Sequence, residues 1–183
     1  MSAGQTPLTR TEVRVYSPWG PGGPAPGVRV TANAHGSCNP SIAESSIPDA
    51  YRCFTDTPDV TGATILDPCF VDRDRSSARL LCANSPTDTT ATLLTADPPV
   101  SPADSNTNDD NFDPWALDVV GVGMCTHATG TVGEIGGKYA AYYCADGGSL
   151  YGDIDTSEQP WTVFHRAATG GGLLSVQIRT AWQ

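Results

Sequence analysis

Met124–Cys144, MCTHATGTVGEIGGKYAAYYC, carries the reading that decides the fold class. Its ends, Met124–Thr129 and Lys138–Cys144, read as strands, and the Gly-rich middle, GTVGEIGG, reads as the connection that folds one back on the other. Cys125 and Cys144 then fall on facing strands, which supply the Cα separation of about 5.5 Å that a disulfide needs. A second hairpin follows, Trp161–Ala167 (WTVFHRA) and Leu173–Ala181 (LLSVQIRTA) around the turn TGGG. Alternation places Trp161, Val163 and His165 on one face and Thr162, Phe164 and Arg166 on the other.

Upstream the pattern is more broken. Thr11–Tyr16 (TEVRVY) alternates as a strand, with Val13 and Val15 on one face, and Val28–Thr31 resumes after SPWGPGGPAPG, which is too rich in Gly and Pro to continue a ladder. Ile65–Val71 (ILDPCFV) contains Pro68, which marks it as an edge strand. Arg79–Cys82 and Ala91–Thr95 are further strands. Asn39–Cys53 is the best place for helix, because Asn39 can cap a turn with Pro40 at its first position. The expectation is a mainly β fold: a small disulfide-stapled antiparallel sandwich or barrel, with one or two short helices near residues 40–53. Residues 1–10 read as a flexible tail and residues 11–183 as a single domain.

The six cysteines form an even set with no CxxC pair, so a zinc knuckle is disfavoured and a disulfide framework in an oxidising compartment is expected. Six cysteines allow fifteen connectivities. Local geometry favours Cys125 with Cys144 across the hairpin and Cys69 with Cys82 around DRDRSS, which leaves Cys38 with Cys53 to close the short helical segment, a pairing in sequence order. The start MSAGQTPLTR lacks the basic and apolar regions of an export signal, so export implies a signal already removed. No apolar run reaches the ~20 residues of a membrane span, so membrane insertion is not expected.

Lys+Arg 10 against Asp+Glu 20 gives a net charge of −10, which opposes binding to nucleic acid, where affinity comes from neutralising phosphates. GxSxG and SxxK are absent. Cys125 and His127 would share a strand face, but Cys144 claims Cys125 for a disulfide. His35, His127 and His165 show no zinc spacing. In Asp97–Pro114, Asp104, Asn106, Asn108 and Asp110 follow the alternate-oxygen opening of a calcium loop. Asp109 stands where that loop needs Gly and Trp115 where it needs Glu, so a solvated acidic loop competes with calcium binding. Asp146, Asp153 and Asp155 form a second acidic group. Apart from calcium, no cofactor is implied. Trp19, in its Pro/Gly loop, and Trp115 are candidates for ligand stacking, against the alternative of core packing.

The stretches GSCNPSIAESSIPDAYRC, ILDPCF, DPWALD, MCTHATGTVG, YYC and PWTV, followed by a terminal AW, occur in an order that resembles a group of exported, mostly uncharacterised actinobacterial proteins. The resemblance spans roughly residues 36–182 and implies export and a shared fold, but no catalytic residue. The function expected is that of a non-enzymatic extracellular or cell-envelope binding module for a cell-wall glycan, a peptide or a protein. The alternatives are a secreted hydrolase whose Asp and His residues converge only in space, and an assembly subunit that uses exposed strand edges.

Overall fold

The computed structural model describes residues 7–40, 47, 49–56, 65–72, 74–100 and 114–183. These residues fall into two compact units, the described residues of Val15–Trp115 with Gln183, and residues 7–14 with Ala116–Trp182. Both are built from strands, and no helix occurs among the described residues, hence none long and apolar enough to cross a membrane.

In the first unit five strands close a barrel: β4 (Arg29–Pro40), β5 (Ala50–Thr55), β6 (Ile65–Asp72), β7 (Ser76–Cys82) and β8 (Thr90–Ala96). Neighbours in sequence pair antiparallel, and β4 closes the ring by pairing parallel with β8 from Arg29↔Thr90 to Gly36↔Ala96. A two-stranded ribbon, β2 (Trp19–Gly20) with β3 (Gly23–Pro24), precedes the barrel. Alternation sends Ala34, Tyr51, Cys53, Leu66, Cys69, Val71, Leu80, Cys82, Leu94 and Ala96 into one core. The cystines Cys38–Cys53 and Cys69–Cys82 join residues directly opposite each other on paired strands.

Two expectations fail here for physical reasons. Asn39 and Pro40 do not open a helix; they end β4, opposite Arg52 and Tyr51, because the Cys38–Cys53 pair holds both flanks in a ladder. Residues 41–46 and 48 of that segment lie outside the described residues. β6 is not an edge strand either, since it lies between β5 and β7 in the closed ring. Pro68 is tolerated because the β5–β6 register shifts between Tyr51 and Cys53, so Asp67 and Pro68 together face Arg52, and a bulge needs no donor from proline.

In the second unit β9 (Ala116–Val119), β10 (Gly123–His127), β12 (Lys138–Cys144), β13 (Ser149–Asp155), β14 (Thr162–Arg166) and β15 (Leu174–Trp182) pair in a ring that β15 closes against β9. β1 (Glu12–Arg14) adds parallel to the end of β15, and β11 (Glu134–Ile135) adds to β12. Both expected hairpins are present, with Cys125 opposite and bonded to Cys144. β9, β11 and β13 are additional to the expected strands. Leu117, Val119, Cys125, Tyr142, Leu150, Val163 and Ile178 fill the core. Thr11 ties the start of the chain in: its hydroxyl donates to Ile178 O (2.7 Å) and accepts from Trp161 N (2.9 Å).

At the β5–β6 bulge the Arg52 guanidinium pairs with Asp67, whose side chain is only 1% exposed. Removing one partner of a buried pair strands the other charge, at a cost of about 3–5 kcal/mol, less here because Arg52 is itself 29% exposed. Arg52→Met should therefore lower stability in urea unfolding under non-reducing conditions by about 2–3 kcal/mol. Asp67→Asn in the same chain should recover most of that loss; no recovery would show that the charge of Asp67 is not the cause.

Candidate functional site

Along Cys69–Asp72, Cys69 and Val71 enter the barrel core, so Phe70 and Asp72 lie on the opposite face of β6. That face is also buried, with Phe70 at 3% and Asp72 at 4% exposure. The cover comes from the segment before the barrel. The Tyr16 ring lies 5.2 Å from Phe70 and 5.2 Å from Trp115, and Phe70 and Trp115 are 5.8 Å apart. Trp19 donates its indole N–H to Phe70 O at 2.7 Å, and the Arg79 guanidinium on β7 lies 5.8 Å from the Trp19 ring centre.

The Pro/Gly composition of residues 17–27 makes this cover possible. Ser17 Oγ accepts from Trp19 N at 3.3 Å, Ala25 N donates to Pro18 O at 2.7 Å, and Gly22 turns the β2–β3 ribbon at φ 102°, where a side chain would be strained. Between this segment and β6 opens a cavity of about 310 Å³. Tyr16, Trp19 and Phe70 supply its aromatic lining, and Asp49, Asp72 and Asp74 its acidic lining. Asp49 is held at φ 70° in the turn into β5, where its carbonyl accepts from Val71 N at 3.0 Å.

Polar atoms in and behind this wall lack partners. Asp72 Oδ2, the Tyr16 hydroxyl and Trp115 Nε1 are all shielded from solvent and make no hydrogen bond. Burial, with a smaller contribution from the Asp88 charge, pushes the Tyr16 hydroxyl up to about 12.

The expected site residues fare differently. Trp19 lines the cavity. Trp115 does not offer a stacking face: it is 0% exposed, packed against Tyr16 and Phe70 as backing for the wall. Asp104, Asn106, Asn108 and Asp110 lie outside the described residues. Asp146 and Asp155 serve separate turns, Asp146 accepting from Gly148 N (2.8 Å) and Asp155 from Ser157 N (3.0 Å) and Ser157 Oγ (2.6 Å). The Ser157 hydrogen bonds lower the Asp155 pKa. Asp146 Oδ2 also lies 3.3 Å from Nε2 of buried His165, too poorly aligned for a hydrogen bond.

Cys144, Asp146 and His165 are the one group of described His, Cys, Asp and Glu residues whose ligand atoms lie within 4.8 Å of each other. The Cys144 sulfur is bonded to Cys125, which removes the thiolate such a site would use and equally removes Cys125 as a partner for His127.

Comparison with protein-family models, curated proteins and solved structures found no match.

Asp49, Asp72, Phe70 and Tyr16 were not singled out by sequence, because the cavity joins segments that are far apart in the chain. The available signal was FVD after Cys69: once Cys69 faces a core, Phe70 and Asp72 must share the other face.

The raised Tyr16 pKa has a definite linkage sign. The folded protein holds this proton more tightly than the unfolded chain, so its contribution to stability is complete below pH 10 and is lost as pH rises from about 10 to about 12. Wild type minus Tyr16→Phe, followed by absorbance at 295 nm, should titrate near pH 12. Tyr16→Phe should also reduce the fall in stability over that range. A difference titration centred at pH 10 would contradict the burial of the hydroxyl.

Proposed function

We propose that the chain is a non-enzymatic extracellular binding module and that the cavity over β6 is its ligand site. The observation that carries this reading is a concave site that combines the Tyr16 and Trp19 rings with a buried carboxylate, Asp72, whose Oδ2 lacks a partner. Ligand sites have this composition: apolar walls with a few convergent polar groups. The location outside the cell is supported by three cystines, which persist in oxidising compartments, and by the resemblance to exported actinobacterial proteins. A cell-envelope glycan, a peptide or a protein surface would be the partner.

The other readings have less support. A hydrolase would draw on Asp146 and His165, which lie 3.3 Å apart, yet the His165 Nε2 that faces Asp146 is shielded from solvent. Assembly by strand edges would draw on β1, which is three residues long and carries the paired charges of Glu12 and Arg14, and charges at an edge discourage further pairing.

The test is a binding survey by nuclear magnetic resonance with cell-wall saccharides and short peptides. Ligands should perturb the Trp19 indole N–H and the amides of residues 70–72. Trp19→Ala should weaken binding at least about tenfold, as expected for loss of an aromatic anchor, while circular dichroism stays unchanged. Perturbations confined to Asp146 and His165, or turnover of a substrate, would overturn this reading.

A further inference from the structure

We infer that the group received by the cavity is an organic cation on an apolar stem, an ammonium or guanidinium of the lysine or arginine kind. The inference rests on the cavity being a binding site and adds the chemistry of the ligand. Asp72 is the decisive residue. It is 4% exposed, it lines the cavity, and its Oδ2 has no hydrogen-bond partner. A carboxylate is an acceptor only, so what completes it must be a donor. A buried charge without a partner is costly enough that proteins normally pair it.

Three further observations narrow the donor. Asp74 lines the same cavity beside Asp72, and no Lys, Arg or His is among its described lining residues. Of the nearby described arginines, Arg79 lies over Trp19 and the Arg75 guanidinium lies beside Gly22 and Gly23, and neither reaches Asp72 Oδ2. The carboxylates do not converge, since the one described cluster with ligand atoms within 4.8 Å is elsewhere, whereas calcium needs about 6–8 oxygens around one point. Separated carboxylates beside aromatic rings suit instead a cation that meets Asp72 while its methylene stem lies along Tyr16 and Trp19, with cation–π attraction added. A volume of about 310 Å³ is at the small end of ligand sites and accommodates one side chain rather than an oligosaccharide.

The experiment titrates the intact, oxidised protein with Nα-acetyl-lysine-N-methylamide, its arginine and norleucine counterparts, n-butylammonium and a neutral chitooligosaccharide. Calorimetry and the Trp19 indole resonance report binding. The lysine or arginine compound should bind at least about tenfold more tightly than norleucine, which keeps the stem and lacks the charge. Asp72→Asn should abolish that preference and raise Tm, because it removes a buried charge that has no internal partner. n-Butylammonium binding as well as the lysine compound would support the cation and identify a free amine as sufficient; weaker binding would support it and point to a peptide. Equal binding of norleucine, an undiminished preference in Asp72→Asn, or a lowered Tm in that variant would overturn the inference. Binding of the chitooligosaccharide alone would also overturn it while leaving the binding-module reading in place, and silence from every compound would remove both.

Discussion

Cys69 and Cys82 face each other across β6 and β7, and the bond between them fixes which residues of β6 point into the barrel. Side chains alternate along a strand, so a slip of one residue would exchange its two faces. Cys69 and Val71 would leave the core, and Phe70 and Asp72 would enter it. A carboxylate in that core, among Leu80, Leu94 and Tyr51, would have no acceptable surroundings. Cys38–Cys53 restrains β4 against β5 in the same way, and Cys125–Cys144 restrains β10 against β12. With sequence separations of 15, 13 and 19, each bond stabilises by about 3 kcal/mol on loop-closure grounds, against about 5–15 kcal/mol for a typical domain. This is how a chain with 19 glycines and 15 prolines holds closed sheets.

Much of this was legible wherever the interacting residues are close in sequence. The two hairpins after residue 120 and the pairs Cys125–Cys144 and Cys69–Cys82 follow from short connections between apolar runs, and Cys38–Cys53 follows as the remaining pair. The helix expected from Asn39 and Pro40 was a local preference that a long-range ladder overrode. The parallel closure of β4 on β8 left no local mark, because it joins residues 29–36 to 90–96. Gly36 records instead the close approach of β5. It sits where β4 meets both β5 and β8, and a Cβ there would lie 2.0 Å from Phe54 O. Trp115 looked like Trp19 as an isolated aromatic beside proline, and only packing separates the lining ring from the backing one.

The cavity follows from the same constraint. A strand buried on both faces needs two covers, the barrel core and something outside it. Tyr16–Pro21 supplies the second, and being rich in Pro and Gly it follows the backbone of β6 without sealing it. Asp72 is left with low exposure and an unpaired oxygen, a local conflict of the kind that concentrates at functional sites. Stability elsewhere in the barrel, from cystines and a closed ring, allows that conflict to persist.

The cystine register is therefore the point on which the account can most directly fail. Digestion of the oxidised protein without reductant, followed by mass spectrometry of the linked peptides, should give Cys38–Cys53, Cys69–Cys82 and Cys125–Cys144 and no other linkage. Any other pairing of Cys69 or Cys82, or free thiols at those two positions, would contradict the register of β6 and with it the placement of Phe70 and Asp72.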